Sequence, residues 1–159
     1  MLLQRFLAVA CTVALVGAAG ATTAMAQGTD SSGGQMGKMS DMSHGGTYTA
    51  MLSAPPGSSS KVAGMGKVKG TSAEVMISGD QADATRPWHV HKGSCGNDQG
   101  IFGSPSAYKP IKVGSDGKGT SKATLSMPLP DSGSYFVNVH SSMSDLKTIV
   151  ACGNLTKGM

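Results

Sequence analysis

From Thr47 to the C-terminus the chain is a succession of short segments rich in β-branched and alternating residues, each ended by Gly, Pro, Ser or Asp, and no stretch shows a helical period. Such punctuation at fairly regular spacing predicts an all-β fold. Strands are expected near Thr47–Ser53, Lys61–Lys69, Ala73–Ser78, Pro87–His91, Lys109–Val113, Ser121–Met127, Ser134–His140 and Thr148–Asn154. Gly79-Asp80, Ser115-Asp116-Gly117 and Asp131-Ser132-Gly133 supply turn chemistry, with Asp116-Gly117 expected to join two strands as a hairpin. About eight strands of this length predict a Greek-key β-barrel or sandwich. Between Cys95 and Tyr108, Gly96, Gly100, Gly103 and Pro105 interrupt any alternation, so this segment is expected to be a loop lying against the neighbouring histidine strand.

Upstream the pattern changes twice. Arg5 is followed by an apolar run from Phe6 to Val16 and then small residues ending Ala24-Met25-Ala26, the layout of a secretory signal peptide, residues 1–26, cleaved after Ala26. The run is too short to remain as a membrane span, so stable membrane insertion is not expected, and the protein is expected to be periplasmic or secreted. A lipoprotein reading at Cys11 is the alternative, with Ala8-Val9-Ala10 before it and apolar sequence continuing past it. Residues 27–46 are Gly, Ser, Asp and Met without apolar periodicity, which predicts a flexible arm. That arm carries Met36, Met39, Met42 and His44, and soft thioether ligands favour Cu(I). Drift of a low-complexity linker would leave the same methionines without a role.

Loss of the leader removes Cys11 and leaves Cys95 and Cys152, an even pair in an exported chain, which predicts one disulfide and removes the Cys95 thiol as a metal ligand. A mature chain of this size makes one domain, residues 47–155, with few aromatics for its core. The net charge of +4 comes from lysines scattered among Gly, Ser and Asp rather than from a basic patch interleaved with aromatics, so nucleic acid is not an expected partner.

The chemistry concentrates in three histidines. Trp88-His89-Val90-His91 in an extended strand sends both imidazoles to one face and Val90 to the other, and His140, at the end of Phe136-Val137-Asn138-Val139-His140, could complete a trigonal site from a neighbouring strand. Imidazole suits copper, zinc, nickel and iron, so the histidines point to a metal more firmly than to its identity. Single histidines in strands are commonly hydrogen-bonded structural residues, but here three of the four in the mature chain sit beside the two cysteines. Trp88 would pack in the core or form part of the rim, Asn138 could hydrogen-bond an imidazole, and Met143 could add a soft fourth ligand.

In order along the chain, His89-Val90-His91 with Cys95 close behind, Asp116-Gly117-Lys118-Gly119, Val139-His140 and Ala151-Cys152-Gly153 resemble the copper/zinc superoxide dismutase superfamily, over roughly Thr47 to Leu155. The resemblance is strongest to the reduced bacterial relatives of chordin-type (CHRD-like) character. It implies a Greek-key barrel, a Cys95–Cys152 disulfide and copper held by His89, His91 and His140. The departures are equally informative. The loop after Cys95 has no histidine, and Asp98 is its only acidic residue before Lys109, so the family's zinc site is not expected; Ile149 stands where the resemblance calls for a guiding arginine. Arg86 is the only arginine of the mature chain, and the stretch Ser141–Ala151 is a shortened version of the family's long loop. The expectation is therefore an exported protein that binds one copper ion for buffering or delivery, without zinc. The alternatives are a copper-only superoxide dismutase, with superoxide as partner, and a metal-free structural or adhesion module.

Overall fold

A computed structural model of the chain describes residues 46–158. The expected leader, with its expected cleavage point after Ala26, and the expected arm with Met36, Met39, Met42 and His44 lie outside the described residues. Within them the protein is all-β, with one turn of 3₁₀-helix at Pro105–Ala107. The strands are β1 Thr47–Leu52, β2 Ala63–Lys69, β3 Ser72–Ser78, β4 Thr85–Arg86, β5 Trp88–Ser94, β6 Asn97–Ile101, β7 Ile111–Val113, β8 Gly119–Thr124, β9 Tyr135–Ser142 and β10 Asp145–Lys157.

All ten pair antiparallel in one sheet of order β4-β7-β8-β3-β2-β1-β10-β9-β5-β6, which curls into a half-barrel. The neighbours β3–β8 and β1–β10 are far apart in sequence, as a Greek-key arrangement requires. β4 forms one edge of the sheet while β5, next to last at the other end of that order, follows it after Pro87 alone. The chain can do this only if the sheet curls until β4 comes up against β9. The His140 amide donates to the Pro87 carbonyl at 2.8 Å across this seam. Pro87, which has no N–H to give a ladder, sits where the chain leaves one sheet edge for the far strands. A partly buried ion pair pins the same place: the Arg86 guanidinium donates to both carboxylate oxygens of Asp80, at 2.7 and 2.6 Å, and also to the Ser141 carbonyl.

Alternation in each strand sends one set of side chains inward. Leu52, Val68, Val75, Val90, Val137 and Val139 are among the buried residues of a single core. Trp88 belongs to that core rather than to the rim, and its indole N–H donates to the Lys109 carbonyl at 2.8 Å. All eight expected strands are present, and the Asp116-Gly117 turn joins β7 to β8, with the Asp116 carboxylate accepting the Lys118 amide.

The main correction concerns Cys95–Tyr108, expected as a loop. It contains β6, an edge strand whose residues Asn97 to Gly100 are exposed and carry no apolar alternation. β6 forms because the chain turns back at Cys95-Gly96 and pairs with β5, Ser94 opposite Asn97 and His91 opposite Ile101. Gly96 takes the left-handed conformation (φ +84°) that this reversal needs.

Candidate metal centre

The histidines lie on the outer, not the core, face of the sheet. His89 and His91 alternate with core residues Trp88 and Val90 in β5, and His140 alternates with Val139 in β9. β5 and β9 are adjacent, with His89 opposite Asn138 and His91 opposite Phe136. Despite facing outward, all three imidazoles are buried. Phe136 packs on His91 with ring centroids 5.2 Å apart, and Tyr108, its hydroxyl bonded to the Phe102 carbonyl, packs edge-on against His89 at 5.3 Å.

One nitrogen from each ring falls within 4.8 Å of the other two, the only such convergence of three or more His, Cys, Asp or Glu donors among the described residues. The hydrogen bonds show which nitrogens these are. His140 Nδ1 lies 2.7 Å from the Leu146 carbonyl, which can only accept, so Nδ1 carries the proton and Nε2 presents a lone pair. His91 Nδ1 lies 2.9 Å from an Asp98 carboxylate oxygen, leaving Nε2 as its free donor atom. That Nε2 is buried with no hydrogen-bond partner, the only such side-chain atom among the described residues. His89 Nδ1 lies 3.1 Å from His140 Nε2. Two lone pairs at this distance would repel, so a proton bridges them in the metal-free protein. A cation could take the place of that proton and would at the same time satisfy the orphaned His91 nitrogen.

Electrostatics keep the rings ready for such an ion. Burial, reinforced by the neighbouring His140 and His91, pushes His89 down to about 4. Burial also lowers His140, partly offset by its bond to the Leu146 carbonyl. Both rings are therefore neutral at pH 7, the form that binds metals. Burial alone would raise the Asp98 carboxyl, but the Gly100 amide and His91 together hold it below its ordinary range, so it is an anion behind the His91 ring.

A pocket of about 880 Å³ opens beside the cluster, lined by His140, Asp98, Asn138, Phe136, Ile149 and Lys147 among others. Its lining also includes Cys95 and Cys152, which form the disulfide expected from the cysteine count. Gly153 allows β1 to approach there: a Cβ at this position would meet the Met51 carbonyl oxygen at 2.3 Å. Ile149 stands opposite His140 in the β9–β10 ladder. Arg86 is committed to Asp80 and Ser141 at the seam, which leaves Lys147 as the cationic side chain lining the pocket.

His89, His91 and His140 are thus brought together, whereas Met143 is exposed in the β9–β10 turn and does not line the pocket. No hydrogen bond joins Asn138 to an imidazole. Asp98 holds that orienting place instead, and the sequence signal for it was its standing as the sole acid of the segment after Cys95. Among the described residues no helix is long and apolar enough to cross a membrane. Comparison with protein-family models and with curated proteins finds no match.

Proposed function

We propose that this is an exported copper-binding protein that buffers or delivers the metal through His89, His91 and His140. The observation that carries the reading is the convergence of three buried imidazoles, one of whose nitrogens, His91 Nε2, has no other partner. His89 Nδ1, His91 Nε2 and His140 Nε2 would hold the ion, and copper would supply a Cu(I)/Cu(II) couple there. Copper is favoured over zinc by the ordered resemblance to the copper/zinc superoxide dismutase superfamily and by the segment after Cys95, whose single carboxylate is already engaged by His91. Export rests on the leader. The methionine arm, if it collects Cu(I), would suit capture better than turnover.

A second reading, a copper-only superoxide dismutase, is favoured by the pocket that leads to His140 with Lys147 on its lining. One experiment separates the two: metal content and superoxide turnover measured on the same purified protein, with His140→Ala as control. Copper handling predicts one copper per chain, lost in a His89→Ala, His91→Ala double variant, with turnover far below the diffusional ceiling. Equal Cu(II) affinity in wild type and double variant refutes the site. Turnover near that ceiling, abolished by His140→Ala, establishes the dismutase.

A further inference from the structure

Six large apolar side chains are exposed among the described residues, and five of them are methionines. Three of these form a row. Met51 in β1 stands directly opposite Met65 in β2, and Met65 directly opposite Met76 in β3. They are 75, 39 and 43 % exposed, on the outer face of the sheet. Directly opposed residues on neighbouring antiparallel strands have their Cβ atoms about 5 Å apart, and the three rotatable bonds of methionine let the flanking sulfurs lean toward the central one.

Packing does not account for this row, because it covers nothing in the core, which lies on the other face of the same strands. Strand propensity does not account for it either: the other outward positions of β1 to β3 carry Thr47, Thr49, Ala63, Lys67, Lys69, Ser72, Glu74 and Ser78, and β-branched residues would serve a pleated surface better than methionine. What methionine alone brings is a polarizable thioether. Three converging thioethers form a soft, uncharged donor set that selects monovalent d¹⁰ ions over divalent ones.

We propose that Met51, Met65 and Met76 form a second metal site, specific for a soft monovalent ion of the Cu(I) or Ag(I) class. It is separate from the histidine centre. The flanking pairs Thr49 with Thr156 and Ser53 with Cys152 leave three residues on each strand between them, which brings Met51 level with Asn154. Asn154 pairs with Phe136, and Phe136 with His91. The methionine row therefore continues across the outer face to the histidine strand, and three strand spacings, about 14 Å, separate Met51 from His91. No ion can be shared over that distance, but Met51 also lines the pocket that contains His140. The row thus reaches the lining of the histidine pocket through Met51, and the proposal stands whether or not the histidines bind copper.

The test is titration with Ag(I), which needs no reductant, followed by the methionine ε-methyl resonances of the full chain in a Cys11→Ser background that removes the one cysteine outside the disulfide. The Met51, Met65 and Met76 methyls are expected to shift together and saturate at one Ag(I). Met65→Leu should abolish the response of Met51 and Met76, whereas Met127→Leu, an exposed methionine off the row, should leave it unchanged. Because each resonance is read separately, binding by the histidines is told apart: it can reach the Met51 methyl, which shares their pocket, but not Met65 and Met76 along with it. Absence of a shift, three independent titrations, or intact Met51 and Met76 responses in the Met65→Leu variant each overturns the proposal.

Discussion

Replacing Asp98 by Ala should weaken Cu(II) binding while leaving the fold in place. In the wild type the Asp98 carboxylate accepts the His91 Nδ1 proton at 2.9 Å, which fixes the tautomer with Nε2 free and aims that nitrogen at His89 and His140. Without the acceptor, the ring can carry its proton on Nε2 instead, and each encounter with a metal must first expel it. Loss of such an outer hydrogen bond typically costs 10- to 100-fold in affinity, or about 1.4 to 2.7 kcal/mol. The Coulomb share of that is small. The carboxylate is 49 % exposed, so water screens its attraction for the ion, and the orientation of the ring carries most of the effect.

Asp98→Asn separates the two contributions, since the amide oxygen still accepts the Nδ1 proton but the charge is gone. Its affinity should fall by less than tenfold. Two measurements check the reasoning: Cu(II) titration against a competing chelator, and the ¹⁵N tautomer signature of His91 in the metal-free protein, expected as Nδ1–H in wild type and Asn and as a mixture in Ala. A melting temperature close to wild type shows that the barrel is intact, because Asp98 lies on the exposed edge strand β6. Wild-type affinity in Asp98→Ala, or an unchanged His91 tautomer, refutes the orienting role.

Further outcomes follow from other contacts. The Cys95–Cys152 bridge closes 57 residues, so Cys95→Ser with Cys152→Ser should lower the unfolding free energy by about 4 kcal/mol, read by urea titration. Asp80→Asn should cost about 3 kcal/mol, since it leaves the Arg86 guanidinium without its countercharge at a side chain only 3 % exposed. Burial would raise the Asp80 carboxyl, but the fork from Arg86 and the Gln81 amide hold it below its ordinary 3.8, so its contribution is full above that pH and drains away as pH falls through the lower folded value. Acid unfolding of Asp80→Asn should lack this component. Ile149→Arg should raise superoxide turnover about tenfold at low salt with the gain fading as ionic strength increases, at unchanged copper stoichiometry; a gain that salt does not diminish rules out electrostatic guidance.

The strands that bury an alternating face were legible in the sequence, because alternation is dictated by the core: β1, β3, β5 and β9 begin or end within three residues of where Tyr48, Val75, Val90 and Val137 demanded them. β6 was not legible, because nothing in Asn97-Asp98-Gln99-Gly100 is apolar, and pairing with β5 overrides its loop-like composition. The histidine trio could be foreseen from period 2 alone. Its orienting partners could not, since Asp98 reaches His91 only once β6 exists, and the Leu146 carbonyl reaches His140 through the β9–β10 turn. The methionine row was invisible for a related reason: Met51, Met65 and Met76 sit at irregular spacings, and only the register of β1, β2 and β3 aligns them.

Charge placement bears on whether this centre holds a metal or turns over an anion. A site that draws small anions from solution gains rate from uncompensated cations whose field converges on the metal. Here the one arginine among the described residues, Arg86, faces the seam, neutralised by the Asp80 carboxylate within a hydrogen-bonded fork. Apolar Ile149 stands opposite His140. Lys147 shares the pocket lining with the Asp98 anion, so the two charges largely offset each other at a distance. What remains at the centre is imidazole in an apolar surround of Phe136, Tyr108 and Ile149, with Lys147 as the one cation on the pocket lining. A cation that enters such a pocket gives up hydration, and the three nitrogen donors at its end, one of which has no other partner, replace it. The arrangement therefore rewards occupancy by a metal more than encounter with an anion, which is the physical ground for placing copper handling ahead of dismutation.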